Sequence, residues 1–169
     1  MPNNKVLIPL NQSDLSQEIL PYVEKFVSAN ENDLILFFVT KPPSGVGFGE
    51  PDLAAGYVPM PSDEPVRPTL HPIYATQAQD SIKAHVEAEL MPVTNRLKEA
   101  GYKVSIVVGF GKDPIEAILR VIAESKISLV AMSTRARVGV TRFFFRNIAD
   151  TLAQKTNIPV LLIHPPEES

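Results

Sequence analysis

Short apolar runs alternate along this chain with stretches in which apolar residues recur every three or four positions. The runs predict buried β-strands at residues 5–10, 33–40, 103–108, 128–133 and 159–164. The helical spacing predicts amphipathic helices at about 15–27, 78–97, 113–122 and 143–155. Strands that are apolar on both faces and alternate with helices predict an α/β fold, in which a five-stranded parallel sheet carries helices on both faces.

Proline, glycine and capping residues mark the predicted helix ends and bends. Pro21 should bend the first helix and Pro92 the second, because each removes a backbone hydrogen bond. Gly101 is a plausible stop for the second helix. Asp113, Pro114 and Glu116 form a helix-start signal, with an N-cap, a proline in the first turn and a glutamate three residues after the cap.

A long connection separates the second strand from the second helix. It runs from Lys41 to about Tyr74 and holds half of the chain's prolines and glycines. Structureless loops above about 12–15 residues are uncommon in compact domains, so this segment is a lid, a partner-binding surface or a disordered insertion. The chain is predicted to be one domain, residues 1–169, with a Pro/Gly-rich insertion at about 41–74.

Composition narrows the environment and the classes of partner. The net charge of −3 gives no overall attraction to nucleic acid or to an acidic membrane. There is no cysteine, which excludes disulfides and thiolate chemistry. The N-terminal residues do not resemble a signal peptide, and no apolar run approaches the roughly 20 residues of a membrane span. We therefore expect a cytoplasmic protein that contacts neither nucleic acid nor membrane.

Arginines are concentrated between the fourth strand and the last helix. Four of the seven lie there: Arg135, Arg137, Arg142 and Arg146. Guanidinium groups at a helix N-terminus match an anion such as phosphate, whereas without an anion they oppose the helix dipole. The alternative is a solvated loop whose arginines pair with Asp150, Glu116 or another subunit.

No catalytic or metal-binding constellation is evident. His71, His85 and His164 lack ligand-like spacing, and Glu87 and Glu89 fall on the solvent face of the second helix. Nucleophile-elbow, Walker and HExxH motifs are absent. We predict no catalytic residue and no bound metal.

Three segments together resemble the universal stress protein family over nearly the whole chain. KVLIPLNQS resembles the family's first strand and turn, and GKDPIEAI its Gly-x-Pro helix entry. LVAMSTRARVGVTRFFFRNIADTLAQKTNIPVLLIHP resembles its C-terminal signature, in which a Gly-x2-Gly-x9-Gly-Ser/Thr loop joins a strand to a helix. The resemblance implies a Rossmann-like (adenine nucleotide alpha hydrolase-like) fold and a homodimer paired through the fifth strand, Pro159 to His164.

The resemblance also locates a nucleotide site and shows how this chain departs from it. The positions of the family's ATP site are Asn11, Val39, Ser133, Thr134, Arg135, Ala136, Arg146 and Asn147. Ser133 and Ala136 replace the first two glycines of the motif, Arg146 and Asn147 replace its final Gly-Ser/Thr pair, and Asn11 replaces the aspartate that faces the adenine. Side chains at such positions block the approach of phosphate to backbone N–H groups, so the chain should not bind ATP in the usual way. No cofactor is therefore predicted.

Three adjacent aromatic residues, Phe143 to Phe145, stand between Arg142 and Arg146 where the family usually has leucines. Two rings should enter the core and the third be partly exposed or meet another subunit. The other interpretation, a membrane-surface anchor, has too little apolar length.

Three hypotheses about function follow. The first is a non-enzymatic, homodimeric stress-response or signalling protein. The second is a switch that binds ATP or AMP with Mg²⁺, or another anion, through the modified arginine loop. The third is a docking module that holds a protein partner through the 41–74 loop or through the Arg/Phe segment.

Overall fold

The computed structural model describes residues 3–10, 14–42, 72–133 and 141–164. The strands are β1 (Asn4–Leu10), β2 (Asn32–Thr40), β3 (Lys103–Phe110), β4 (Leu129–Ser133) and β5 (Val160–Ile163). The helices are α1 (Leu20–Phe26), α2 (Pro72–Glu99), α3 (Pro114–Ser125) and α4 (Thr141–Lys155), and a 3₁₀ helix (Asp14–Ile19) precedes α1. Each predicted strand and helix is present, with ends that differ by a few residues.

All five strands are parallel and lie in the order β3-β2-β1-β4-β5. β1 is central, and the chain winds outward from it first to β2 and β3 and then to β4 and β5. The direction of winding therefore reverses between β1 and β4. This arrangement confirms the predicted α/β fold, and a crevice for ligands is expected where the winding reverses, at the carboxyl ends of the strands.

The sheet is covered on both faces by apolar side chains. On one face, residues of α1 and α2 pack against the strands; this cluster includes Val6, Leu36, Leu20, Val86 and Leu97. On the other face, residues of α3 and α4 pack against Leu7, Phe37 and Met132, and this cluster includes Ile118 and Leu152. Burial on both faces is why the strands are continuously apolar rather than alternating.

Backbone capping explains where α2 ends and α3 begins. Gly101 adopts a left-handed φ of 96°; its N–H donates to the Lys98 carbonyl, and the Tyr102 N–H donates to the Leu97 carbonyl. These two bonds form a Schellman motif, which confirms Gly101 as the stop. At α3 the Asp113 carboxylate accepts a hydrogen bond from the Ile115 N–H at 2.8 Å, as the helix-start signal predicts.

Pro21 divides the first predicted helix instead of bending it. Residues Asp14–Ile19 form the 3₁₀ helix, and α1 begins at Leu20 with Pro21 in its first turn. Proline cannot donate to the carbonyl four residues earlier but is well accommodated at a helix start, so regular α-helix begins there. Pro92, by contrast, lies inside α2, which continues to Glu99. None of the helices in the described ranges is both long enough and apolar enough to span a bilayer.

Candidate functional site

The described pairing between β1 and β4 is short. The two strands pair at Val6 with Leu129 and at Leu7 with Val130. The Lys5 N–H donates to the Ser128 hydroxyl at 3.1 Å, and the Lys5 carbonyl accepts from the Ser128 N–H at 2.9 Å. The backbone groups of β1 that face β4 are therefore those of alternate residues beginning at Lys5.

Pro9 belongs to this alternate series, so the position of its missing N–H faces β4. Proline in a central strand removes a hydrogen bond of the ladder. Pairing of β1 with β2, on the opposite side, continues to Leu10 and Phe38. Pro9 thus explains why β1 stays paired with β2 while its described pairing with β4 ends at Leu7. A ligand at the winding reversal is expected to lie beyond that point.

Two of the predicted site residues lie at this carboxyl edge. Ser133 ends β4 and is buried, with 8% of its surface exposed. Val39 is half-buried near the end of β2 and packs against the core beneath α3 and α4. Ser133 lies on the same face of the sheet as Ala131, which packs on the side of α1 and α2. The side chains of Ser133 and Val39 therefore lie on opposite faces of the sheet.

The other predicted site positions lack a described side chain. Asn11, Thr134, Arg135 and Ala136 lie outside the described residues, and so does Arg137. Arg146 and Asn147 belong to the first two turns of α4, whose side chains are outside the described part, as are those of Arg142 and Phe143 to Phe145. Most of the 41–74 loop is also outside it. The predicted nucleotide positions and the predicted partner surface therefore stay predictions.

Gly109 of β3 lies close to the ring of Phe37 in β2, a contact that the sequence did not indicate. A Cβ atom on Gly109 would lie 2.7 Å from Cζ and 2.8 Å from Cε2 of Phe37, a ring with no exposed surface. Two residues later, the Gly111 N–H donates to the Thr40 carbonyl at 3.0 Å. The backbone at position 109 can approach the Phe37 ring this closely because glycine has no Cβ atom.

A cavity of about 310 Å³ opens beside the end of β2. It is lined by Phe38 and Thr40 from β2 and by Ser81, Ile82, His85, Val86 and Glu89 from α2. His85 and Glu89 are both exposed, as the sequence predicts, but the sequence did not indicate that they line one cavity. The spacing of Ser81, His85 and Glu89 could have indicated it, since residues four apart lie on one side of a helix.

Few charged groups of the described residues interact with one another. One ion pair joins Arg96 of α2 to Glu24 of α1, at 2.7 Å. Within the described ranges no three His, Asp or Glu side chains are close enough together to hold a metal ion. Nearby, burial and then the charge of Glu24 raise the pKa of Tyr102 above its ordinary value of 10.0; its hydroxyl donates to the Val27 carbonyl at 2.6 Å.

Comparison with known proteins shows what this chain is similar to. The model of the Universal stress protein family matches residues 2–164. A search of the curated proteins finds no match.

Solved structures share the fold at low sequence identity. The hypothetical protein MJ0577 superposes with a TM-score of 0.64 at 16% identity, covering 98% of both chains. A universal stress protein in complex with cAMP has a TM-score of 0.57 at 16% identity, covering 98% of this chain and 100% of the other. A universal stress protein family protein from Arabidopsis thaliana with AMP bound has a TM-score of 0.56 at 15% identity, covering 96% and 92%.

Proposed function

This chain belongs to the universal stress protein family, and from that premise we propose that it is a non-catalytic, homodimeric stress-response or signalling protein that does not bind ATP in the usual way. The observation that carries the proposal is the apolar edge strand β5. Its four residues, Val160 to Ile163, are all aliphatic, and none of them is fully buried. Leu162 is 42% exposed.

The two edges of the sheet differ in how they are protected. β3 carries exposed Lys103 and Ser105, and polar or charged residues on an edge strand discourage association. β5 has no such residue, and among the described strands its one neighbour in the sheet is β4. An exposed aliphatic edge strand is a hazard unless a second strand covers it, and a two-fold antiparallel pairing with another copy does so.

Loss of ordinary ATP binding is supported by Ser133 together with the sequence of the following loop. Ser133 is buried at the end of β4, at the position of the first glycine in the family motif. A side chain at that position is expected to keep phosphate away from the backbone that the glycine of the motif leaves bare. Ala136, Arg146 and Asn147 replace the remaining motif residues in the sequence.

Light scattering after size exclusion tests the dimer. At micromolar concentration the native chain should have twice the chain mass of 18.6 kDa. Leu162→Lys should reduce the mass to that of one chain, because it buries a charge in the proposed interface. Val107→Lys is the matched control, since Val107 is a 36% exposed valine on the opposite edge strand, and it should leave the dimer intact. A native chain of single-chain mass would refute the pairing.

A nucleotide- or anion-binding switch is the second candidate. It is supported by the end of the described β1–β4 pairing at Leu7, where the winding of the sheet reverses, and by the relatives that were solved with cAMP and with AMP bound. Calorimetric titration with ATP and Mg²⁺, repeated with an Arg146→Gly, Asn147→Ser variant, separates the candidates. Binding by the native chain favours the switch. Binding by the variant alone favours a lost site on an intact fold.

A further inference from the structure

Four polar side chains line the cavity beside β2 and have no partner among the described residues. The hydroxyls of Thr40 and Ser81, the imidazole of His85 and the carboxylate of Glu89 line it. None of these four groups makes a side-chain hydrogen bond or an ion pair within the described residues. Binding sites commonly combine an apolar floor with a few such convergent groups.

The cavity lies between α2 and the end of β2. The floor is apolar, because Phe38 and Val86 are buried and Ile82 is half-buried.

We propose that this cavity binds a small organic cation, with its ammonium group beside Glu89 and its apolar body on Phe38, Ile82 and Val86. None of the described residues that line this cavity is among the predicted nucleotide positions, and the proposal does not depend on the proposed dimer. The imidazole of His85 in its neutral form and the hydroxyls of Thr40 and Ser81 are acceptors for the remaining N–H groups.

Charge selects a cation over the other ligand classes. Among the described residues that line the cavity, Glu89 is the one carboxylate and none is a lysine or an arginine. An anion would be repelled by Glu89, and a neutral ligand would gain no ion pair with it. An ammonium group satisfies it with a charge-assisted hydrogen bond.

Size limits the ligand to a small molecule. A volume of about 310 Å³ is at the low end of the range for ligand pockets. The side chains of Ser81, His85 and Glu89 are exposed, so solvent weakens the ion pair. We therefore expect millimolar affinity for a minimal ligand. The selectivity for a cation is measured by comparing the affinities of probes that differ in charge.

Three probes that share a phenylethyl group test the proposal by ¹H–¹⁵N NMR titration of the full chain. They are 2-phenylethylamine as the ammonium ion, 2-phenylethanol as the neutral analogue and 3-phenylpropanoate as the anion. The amine should shift the amide signals of Ser81, His85 and Glu89 in a saturable way. The alcohol should bind more weakly, and the carboxylate should not bind.

Glu89→Gln and Glu87→Gln form the matched pair of variants. Glu89→Gln should weaken the binding of the amine by about fivefold, which is the most that an exposed ion pair usually provides. It should leave the affinity for the alcohol unchanged. Glu87 lies on the same helix but does not line the cavity, so Glu87→Gln should change neither. No saturable shift with the amine, equal binding of all three probes, or an equal loss in both variants would overturn the proposal.

Discussion

Replacing Gly109 by alanine should destabilise the protein because of one specific contact. The added Cβ would lie 2.7 Å from Cζ of Phe37, about 0.7 Å inside the 3.4 Å at which ordinary contact begins. The ring has no exposed surface and is packed within the core beneath α3 and α4, so it cannot move without displacing its neighbours. Overpacking of this kind costs about 1–3 kcal/mol.

The assay is urea unfolding followed by circular dichroism, with Gly111→Ala as the matched control. Gly111 has ordinary backbone geometry, and a Cβ there meets nothing closer than 3.6 Å. Gly111→Ala should therefore be neutral or stabilising by up to about 1 kcal/mol. Gly109→Ala should lower the midpoint without changing the slope, which indicates a loss of native stability.

A double-mutant cycle identifies the cause. Leucine at position 37 lacks the Cζ and Cε2 atoms, so in a Phe37→Leu background the cost of Gly109→Ala should fall. A coupling of about 0.5–3 kcal/mol is expected for residues in direct contact. If Gly109→Ala costs the same in both backgrounds, or costs no more than Gly111→Ala, the reasoning from this contact is wrong.

Three further predictions concern Thr94 in α2, Tyr102 just after α2 and Lys126 at the end of α3. Thr94 is 4% exposed and its hydroxyl has no hydrogen-bond partner among the described residues, so Thr94→Val should stabilise by about 1 kcal/mol in urea unfolding, whereas Thr94→Ser should not. Lys126 has a left-handed φ of 51°, so Lys126→Gly should raise the thermal midpoint by relieving a strain of about 1 kcal/mol. The raised pKa of Tyr102 stabilises the fold below the unfolded value of 10.0, and this contribution is lost as pH rises through the folded pKa. The native chain should therefore lose more stability above pH 10 than Tyr102→Phe, measured by urea unfolding at neutral and at alkaline pH.

Features that depend on residues near in sequence could be predicted. The cap at Asp113 and the stop at Gly101 follow from local hydrogen bonding, and both are present. The strands could be located because burial on both faces leaves a continuous apolar run. The family resemblance, carried mainly by the C-terminal signature, is confirmed over residues 2–164.

Features that depend on the meeting of distant segments could not be predicted. The role of Gly109 requires knowledge that β3 pairs with β2 in the register that places Phe37 beside it. The cavity requires α2 to lie beside the end of β2, so that Ser81, His85 and Glu89 line one cavity with Phe38 and Thr40. Pro21 could be recognised as a helix disruptor, but whether it bends or divides the helix depends on the packing of both parts.

Cysteine crosslinking of β5 tests the central claim most directly, because the native chain has no cysteine. Single substitutions at Val160, Leu161, Leu162 and Ile163 are oxidised and compared with Val107→Cys on the opposite edge strand. A two-fold antiparallel pairing centred on β5 places one of its positions opposite itself, so at least one of the four variants should form a covalent dimer efficiently while Val107→Cys should not. A covalent dimer from Val107→Cys alone, or from none of the five variants, would contradict pairing through β5.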